Sequence, residues 1–310
     1  MKDSQYMIDN YKVIANKFKE ENRLHRALYF YKKAYNLAGG KDNVDLLLDM
    51  GLVYDELKEY DLAREKYHRV LEIDPEDPRG YYSIAIAYDN EKKYTDAIGY
   101  YKKAIELDPE YDRAYFFLAN IYDEIGYKDK AVEYYKRVID LNDEDFWAYV
   151  NLSAVYEETD ENILALRTIK KALEIIPDHY KALFNMGVIL KKLGNIQDAI
   201  NYYSHSIDEN PYYPYSYFNL AIIYKENKEY LAGLKTLTDG IEYNSHVAIL
   251  YYNRACLYSL IKKQDKAMKD LVTAIGIDPD LEEYMKKDEE LEPLRELEAY
   301  KYMIDDKNLK

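Results

Sequence analysis

The stretch from Tyr81 to Pro109 decides the fold of this chain: YYSIAIAYDNEKKYTDAIGYYKKAIELDP. Small and large apolar residues recur in it with the spacing of an amphipathic helix, first around Ala85 and again around Ala104. A polar break at residues 90–93 separates the two predicted helices. Proline cannot continue a helix and disfavours helical geometry in the residue before it, so Asp108–Pro109 is expected to end the second helix.

The same arrangement recurs every 34 residues along the chain. A small residue repeats at one phase, an aromatic residue at a second and a helix-ending residue at a third; two further positions that hold small residues keep the same phase. These three series are Ala63, Ala97, Ala131, Ala165, Ala199, Gly233 and Ala267; Tyr54, Tyr88, Tyr122, Tyr156, Leu190, Tyr224 and Tyr258; and Pro75, Pro109, Asp143, Pro177, Pro211, Ser245 and Pro279. Five series in one phase indicate an internal repeat.

A unit of this length, with these small and large positions and a terminal proline, resembles the tetratricopeptide repeat (TPR). The resemblance implies an all-α fold: a right-handed superhelical solenoid of about eight helix–turn–helix repeats with a C-terminal capping helix. We place the repeat array at residues 1–281, with repeats at about 8–43, 44–77, 78–111, 112–145, 146–179, 180–213, 214–247 and 248–281. Residues 282–310 are expected to form a helical cap and tail, because the end of a repeat stack needs a cover.

Composition narrows the range of possible partners and of cellular compartments. The net charge of −15 argues against nucleic acid and anionic membranes as partners, since both attract basic proteins, and it favours partners with a basic stretch. The single cysteine, Cys256, cannot form an internal disulfide, which fits a reducing compartment. No apolar leader and no apolar run of about 18 residues is present, so we expect a cytoplasmic protein.

The sequence offers no chemistry for catalysis. It lacks the glycine-rich patterns that bind phosphates or dinucleotides, and its five histidines never share the inward positions of the repeat. The acidic run at residues 140–145 lacks the glycine and the distal glutamate of a calcium loop. We therefore expect no enzyme, no cofactor and no metal site.

In TPR proteins the first helix of each repeat lines a concave groove, and positions two, five, six, nine, twelve and thirteen point inward. By this resemblance the candidate peptide-binding residues are asparagines at position six, aromatic residues at position five and charged residues at other inward positions. They are Asn151, Asn185, Asn219 and Asn253; Tyr82, Phe116, Phe184, Phe218 and Tyr252; and Lys181, Lys192, Lys225, Asp49, Asp89 and Asp123. Each group has a plain alternative: the asparagines could satisfy local backbone groups, the aromatic rings could pack between repeats, and the charges could form an ordinary solvated surface.

These observations predict a non-catalytic scaffold or adaptor that binds a protein or peptide segment in the groove. Acidic inward residues in the first half of the array would favour a basic stretch of the partner, and lysines in the second half an acidic one. A self-associating structural protein and a peptide-responsive regulator are the alternatives. The sequence leaves the oligomeric state open.

Overall fold

The computed structural model describes residues 2–305, so Met1 and residues 306–310 of the expected tail lie outside the described part. Sixteen helices follow one another in pairs: α1 Lys2–Glu20 and α2 Leu24–Tyr35; α3 Val44–Glu56 and α4 Tyr60–Ile73; α5 Pro78–Asn90 and α6 Tyr94–Leu107; α7 Asp112–Glu124 and α8 Lys128–Leu141; α9 Phe146–Glu158 and α10 Asn162–Ile175; α11 Tyr180–Lys192 and α12 Ile196–Glu209; α13 Pro214–Glu226 and α14 Tyr230–Tyr243; α15 Ala248–Leu260 and α16 Gln264–Ile277. Three short helices follow: α17 Leu281–Met285, α18 Glu292–Arg295 and α19 Glu298–Asp305. The described residues contain no strand, and the predicted all-α class with repeated helix–turn–helix units is confirmed.

The chain divides into two compact parts, an N-terminal part up to Ala148 and a C-terminal part from Tyr149. Within the N-terminal part α3 packs against α4 of the same repeat and also lies beside α5, the first helix of the next repeat. The same order holds in the C-terminal part, where α13 contacts α14 and also lies beside α11 and α15. Within each part, first helices therefore line up next to one another.

The turn inside each repeat depends on one residue with left-handed backbone geometry. This residue is the fifteenth of the repeat, and its φ is +81° at Gly126 and +79° at Gly194. Glycine adopts this geometry without steric cost. Lys92 takes the same position at φ +59°, where a side chain makes the conformation less favourable. The polar break that the sequence predicts at residues 90–93 is this turn.

From α4 onward, the end of each second helix agrees with the predicted stop. Asp108, before Pro109, leaves the helical region with φ −133° and ψ 94°, and α6 ends at Leu107. Asn142 does the same with φ −144° and ψ 95°, although Asp143 follows it instead of proline. The stop therefore does not need the proline in every repeat.

Close packing inside a repeat explains the small residues of the series. A Cβ atom on Gly51 would lie 2.2 Å from Cε1 of Tyr67, and one on Gly187 would lie 2.7 Å from Cε1 of Tyr203. Both tyrosines are buried. In these two repeats the first helix thus carries a glycine where the ring from the second helix crosses it, since the interior is packed too densely to admit another atom there.

The residues after α16 cover the end of the C-terminal part. Helices α17 and α19 pack against α16, and Met285, Leu294 and Tyr300 are buried there. A short 3-10 turn at Glu289–Leu291 interrupts this segment and packs against α15 instead. The described part of the predicted cap therefore contacts both helices of the last repeat.

Two glycine substitutions test this packing. Gly51→Ala should lower the free energy of unfolding by about 1–3 kcal/mol, because the new methyl group collides with the ring of Tyr67. Gly99→Ala should raise it by about 0.5–1 kcal/mol, because Gly99 is a helical glycine with open space around its Cβ position. Urea unfolding followed by circular dichroism measures both. Equal effects of the two variants would contradict the packing argument.

Candidate functional site

The candidate site is the inner face, which we define as positions two, five, six, nine, twelve and thirteen on the first helix of each repeat. The three aspartates predicted there in the N-terminal part all have partners. Asp49 lies 3.4 Å from Nζ of Lys12, and Asp123 lies 2.6 Å from Nζ of Lys128. Asp89 accepts a hydrogen bond of 3.3 Å from the hydroxyl of Tyr101. The acidity of this face is therefore partly compensated within the chain.

A buried carboxylate that the sequence did not single out as a binding residue lies beside them. Asp55 is 6% exposed, and its Oδ2 accepts a hydrogen bond of 2.6 Å from the hydroxyl of Tyr67. Its Oδ1 is buried without a hydrogen-bond partner in the described residues. Burial raises the pKa of Asp55 to about 6, against the lowering effect of the Tyr67 hydrogen bond and of Arg64. Burial likewise raises the pKa of Asp89 to about 6, against its hydrogen bond from Tyr101 and with help from Glu124.

The predicted aromatic residues of the N-terminal part pack against other rings. The ring of Tyr82 lies 4.9 Å from that of Tyr111 and 6.1 Å from that of Phe117, which belongs to the next repeat. Phe116 meets Tyr135 edge-on at 6.0 Å and lines a pocket of about 120 Å³. Tyr82 therefore contributes to packing between repeats, whereas Phe116 also borders open space.

The four asparagines of the C-terminal part differ in what their carboxamides do. Asn219 donates to the backbone oxygen of Tyr215 at 3.0 Å, and Asn253 donates to that of Ile249 at 2.8 Å, both within their own helix. Asn185 makes no side-chain hydrogen bond within residues 2–305, and Asn151 is half-buried on α9. Four equivalent sequence positions thus do not give four equivalent binding groups.

The predicted aromatic residues of this part also differ. Phe184 packs against Tyr213 at 5.3 Å and Tyr203 at 5.7 Å, and it also lines a pocket. Phe218 is partly buried and packs against the cluster around Leu237. Tyr252 is 4% exposed. Residues that follow α16 cover this predicted anchor, since its ring lies 5.6 Å from that of Tyr284 and its hydroxyl donates to Asp288.

The lysines of the C-terminal part are paired as well. Nζ of Lys192 lies 2.7 Å from a carboxylate oxygen of Glu157, and Nζ of Lys225 lies 2.6 Å from that of Glu290. Lys181 is half-buried on α11. Two of the three predicted lysines therefore have carboxylate partners within the chain, and one of these partners, Glu290, belongs to the segment after the repeats.

One pocket on this face brings predicted residues together. It has a volume of about 300 Å³ and lies between α9 and α11; its lining residues are Ala154, Glu157, Glu158, Phe184, Asn185, Val188 and Ile189. Its walls are apolar, and its polar groups are two carboxylates and one carboxamide. Pockets with apolar walls and a few convergent polar groups are typical ligand sites. Phe184 and Asn185 are the predicted residues that it unites.

A buried hydroxyl near this pocket lacks a partner. Tyr203 is fully buried, and its oxygen makes no hydrogen bond in the part of the chain that the structure describes. The equivalent Tyr135 donates to Oδ1 of Asn120 at 2.6 Å. At the position of Asn120 the repeat of Tyr203 has Val188, which cannot accept a hydrogen bond. The sequence contains this signal, but it becomes visible only once the partner position is known.

Two groups of metal-binding residue types come together among residues 2–305, and neither carries a metal-site argument. Asp178, His205 and Glu209 lie close together on the surface, where exposed acidic groups are common without an ion. Cys256 lies beside Asp288 and Glu290, but the ammonium of Lys225 already occupies the Glu290 carboxylate. Burial and Glu290 raise the pKa of the Cys256 thiol to about 12, so the thiol stays protonated.

Family models of known proteins match the chain in several places. Models described as "Tetratricopeptide repeat" match residues 78–111, 112–145, 180–213 and 248–281, and one described as "TPR repeat" matches residues 51–91. Together these matches cover more than half of the chain. No curated protein matches the sequence significantly. Among the described helices none is both long and apolar enough to pass through a membrane.

Solved structures share the fold. A tetratricopeptide repeat protein from Parabacteroides merdae aligns with a TM-score of 0.62 at 18% identity, over 81% of this chain and 97% of that one. A chain of the APC/C hetero-tetramer Cut9–Hcn1 aligns with a TM-score of 0.60 at 17% identity, over 91% of this chain and 52% of that one. Identities this low show similarity of fold alone.

The raised pKa of Asp55 predicts that the stability of the fold depends on pH. A carboxyl whose pKa is raised on folding holds its proton more tightly in the folded state, so this contribution is greatest at acidic pH and is lost as pH rises through about 6. Asp55→Asn removes the buried charge and should raise the free energy of unfolding at pH 7.5 by about 1–2 kcal/mol and by about half as much at pH 5, because the carboxyl of the unfolded chain is already ionised at pH 5. Thermal melts at both pH values measure this. The exposed Asp140 gives a control, since Asp140→Asn should show no such difference.

The unpartnered hydroxyl predicts opposite effects of one substitution at two equivalent positions. Tyr203→Phe should raise the free energy of unfolding by about 1 kcal/mol, because it removes a buried polar group that has no partner. Tyr135→Phe should lower it by about 1 kcal/mol, because Asn120 loses its donor. Urea unfolding of both variants decides the point, and destabilisation of similar size in both would show that the Tyr203 hydroxyl has a partner after all.

Proposed function

The chain belongs to the tetratricopeptide repeat family, whose members are protein-interaction scaffolds in general, and from this premise we propose that its inner face binds an extended segment of another protein. The observation that carries the proposal is the pocket between α9 and α11. It is open, mainly apolar and lined by Phe184 and Asn185, two residues that the repeat register assigns to the inner face.

The apolar wall and the carboxamide of this pocket can each contact a peptide. The ring of Phe184 and the side chain of Val188 offer an apolar surface for one side chain of the partner. The carboxamide of Asn185 offers both a donor and an acceptor, which can pair with a backbone amide regardless of the partner's sequence. The amide of Asn185 makes no hydrogen bond within residues 2–305, so it is better placed for this than those of Asn219 and Asn253.

The charges favour a partner with a basic stretch. Glu157 and Glu158 line the pocket, and the chain as a whole has a net charge of −15. A lysine or arginine side chain can lay its aliphatic stem on apolar walls while its charged end reaches a carboxylate at the rim. In the free chain Nζ of Lys192 lies 2.7 Å from Glu157. A cation of the partner would take the place of Lys192, so the carboxylate of Glu157 would remain paired.

The proposal includes no catalysis, no nucleic-acid partner and a cytoplasmic location. The raised pKa of the Cys256 thiol supports the first point, because it keeps the thiol protonated and the thiolate is the nucleophile. The acidic composition supports the second, because phosphate polymers are bound by concentrated basic residues. The third rests on the composition and the single cysteine.

Selection from a random peptide library displayed on phage, with the full chain as bait, tests the proposal. Selected peptides should contain lysine or arginine beside an apolar residue, and replacing the basic residue by glutamine should weaken binding. Asn185→Ala should weaken the selected peptides about three- to tenfold, which is the net contribution of one hydrogen bond, with no loss of helical content. Fluorescence anisotropy with labelled peptides measures the affinity.

Asn201→Ala is the matched control, because Asn201 is exposed on α12 of the same repeat and lies on the second helix. It should leave the affinity unchanged. Equal affinity of the wild-type chain and Asn185→Ala for every selected peptide would contradict the assignment of the pocket. Failure to select any peptide that competes for this face would contradict the proposed function itself.

A further inference from the structure

The inner face of the last two repeats is occupied by the chain itself. Nζ of Lys225, at position twelve of α13, lies 2.6 Å from Oε1 of Glu290. The hydroxyl of Tyr252, at position five of α15, donates to Oδ2 of Asp288. Ser259, at position twelve of α15, donates to the backbone oxygen of Glu290 at 3.0 Å. The turn from Asp288 to Leu291 thus contacts inward positions of two successive repeats.

An apolar side chain anchors these polar contacts. Leu291 is fully buried in a cluster that includes Tyr252 and Cys256, both at inward positions of α15. Leucine side chains buried to this degree each contribute on the order of 2 kcal/mol. The segment therefore combines two carboxylates, spaced two residues apart, with a leucine directly after the second.

This contact is separate from the covering of the open end. Helices α17 and α19 pack against α16, the last second helix. The turn at Glu289–Leu291 instead packs against α15, on the face where the other first helices carry the candidate site. A cover for α16 alone does not require two carboxylates on the inner face.

The turn is also held in shape by its own residues. Oδ1 of Asp288 accepts a hydrogen bond of 2.9 Å from the backbone nitrogen of Glu290. Arg295 donates to the backbone oxygen of Asp288 at 2.8 Å. A segment that is already folded into its bound shape loses less entropy on binding, which favours it as a ligand.

We propose that the inner face of α13 and α15 is a second docking site, for an acidic segment of another protein with the pattern carboxylate, any residue, carboxylate, leucine, and that residues 288–291 fill this site in the free chain. The ammonium of Lys225 provides the charge complementarity, and the hydroxyls of Tyr252 and Ser259 provide the donors. The proposal does not depend on the pocket between α9 and α11.

A partner must compete with the tethered segment. A ligand joined to its site by a short connection acts as if present at about millimolar concentration, so a free segment with the same contacts cannot displace it at micromolar concentration. Substitutions that weaken the binding of residues 288–291 should therefore expose the site to a free segment. Substitutions in the site itself should weaken the binding of both.

The probe is a fluorescently labelled synthetic peptide of residues 286–297, KKDEELEPLREL, added to the full chain. The Leu291→Ala chain should bind it at least about tenfold more tightly than the wild-type chain, because truncating a buried leucine costs the tethered segment more than that factor. Adding Lys225→Gln to this variant should weaken the peptide about fivefold, as expected for one half-exposed ion pair. Lys235→Gln, on the exposed face of α14, is the control and should change nothing.

The proposal is overturned if a Leu291→Ala chain that keeps its helical content does not bind the peptide. It is also overturned if adding Lys225→Gln to this variant leaves the affinity for the peptide unchanged. If Leu291→Ala fails to fold, Glu290→Gln takes its place under the same criteria, because it removes the ion pair and leaves the buried leucine. Light scattering of the same variant decides between occupants. Dimers that excess peptide dissociates would show that a second copy of this chain fills the site, against the proposal.

Discussion

In several repeats a tyrosine ring on the second helix packs closely against a small residue on the first helix, and where that residue is glycine no further atom fits. A Cβ atom on Gly51 would lie 2.2 Å from the ring of Tyr67, so the glycine on the first helix and the ring on the second require each other. The same ring carries its hydroxyl to the inner face, where that of Tyr67 meets Asp55 and that of Tyr135 meets Asn120. Tyrosine suits this role because its ring packs and its oxygen remains a donor, which gives a physical reason for its abundance in the chain.

Most of the fold could be predicted because the repeat fixes it many times over. The polar break at residues 90–93 falls between the end of α5 at Asn90 and the start of α6 at Tyr94, and the stop before Pro109 agrees with the end of α6 at Leu107. Each boundary recurs in other repeats, so an error in one would conflict with the rest. The turn at Glu289–Leu291 has no such support, since it occurs once and depends on contacts with α15 that are distant in sequence.

The sequence predicts which residues lie on the inner face, but it does not predict which of their polar groups already have partners within the chain. The register indicates which helix face a residue lies on, yet the partner of each polar group depends on residues elsewhere in the chain. Glu290 lies 65 residues from the lysine that it neutralises, Lys225, and no count of charges within a repeat contains it. Asn219 instead donates to a backbone oxygen four residues earlier in its own helix. Position alone therefore overestimates the number of free binding groups on such a face.

The repeat from Tyr180 to Tyr213 shows how a site arises from a regular array. At its ninth position, where Asn120 holds Tyr135 in an earlier repeat, it has Val188, and the hydroxyl of its tyrosine is left without a partner. The same Val188 forms part of the pocket wall, next to Phe184 and Asn185. A polar residue there would satisfy the tyrosine and make the wall less apolar. The twelfth position does not replace it, since Asp55 accepts the hydroxyl of Tyr67 from there in an earlier repeat and this repeat has Lys191, so the hydrogen bond is lost in the repeat that gains the apolar wall.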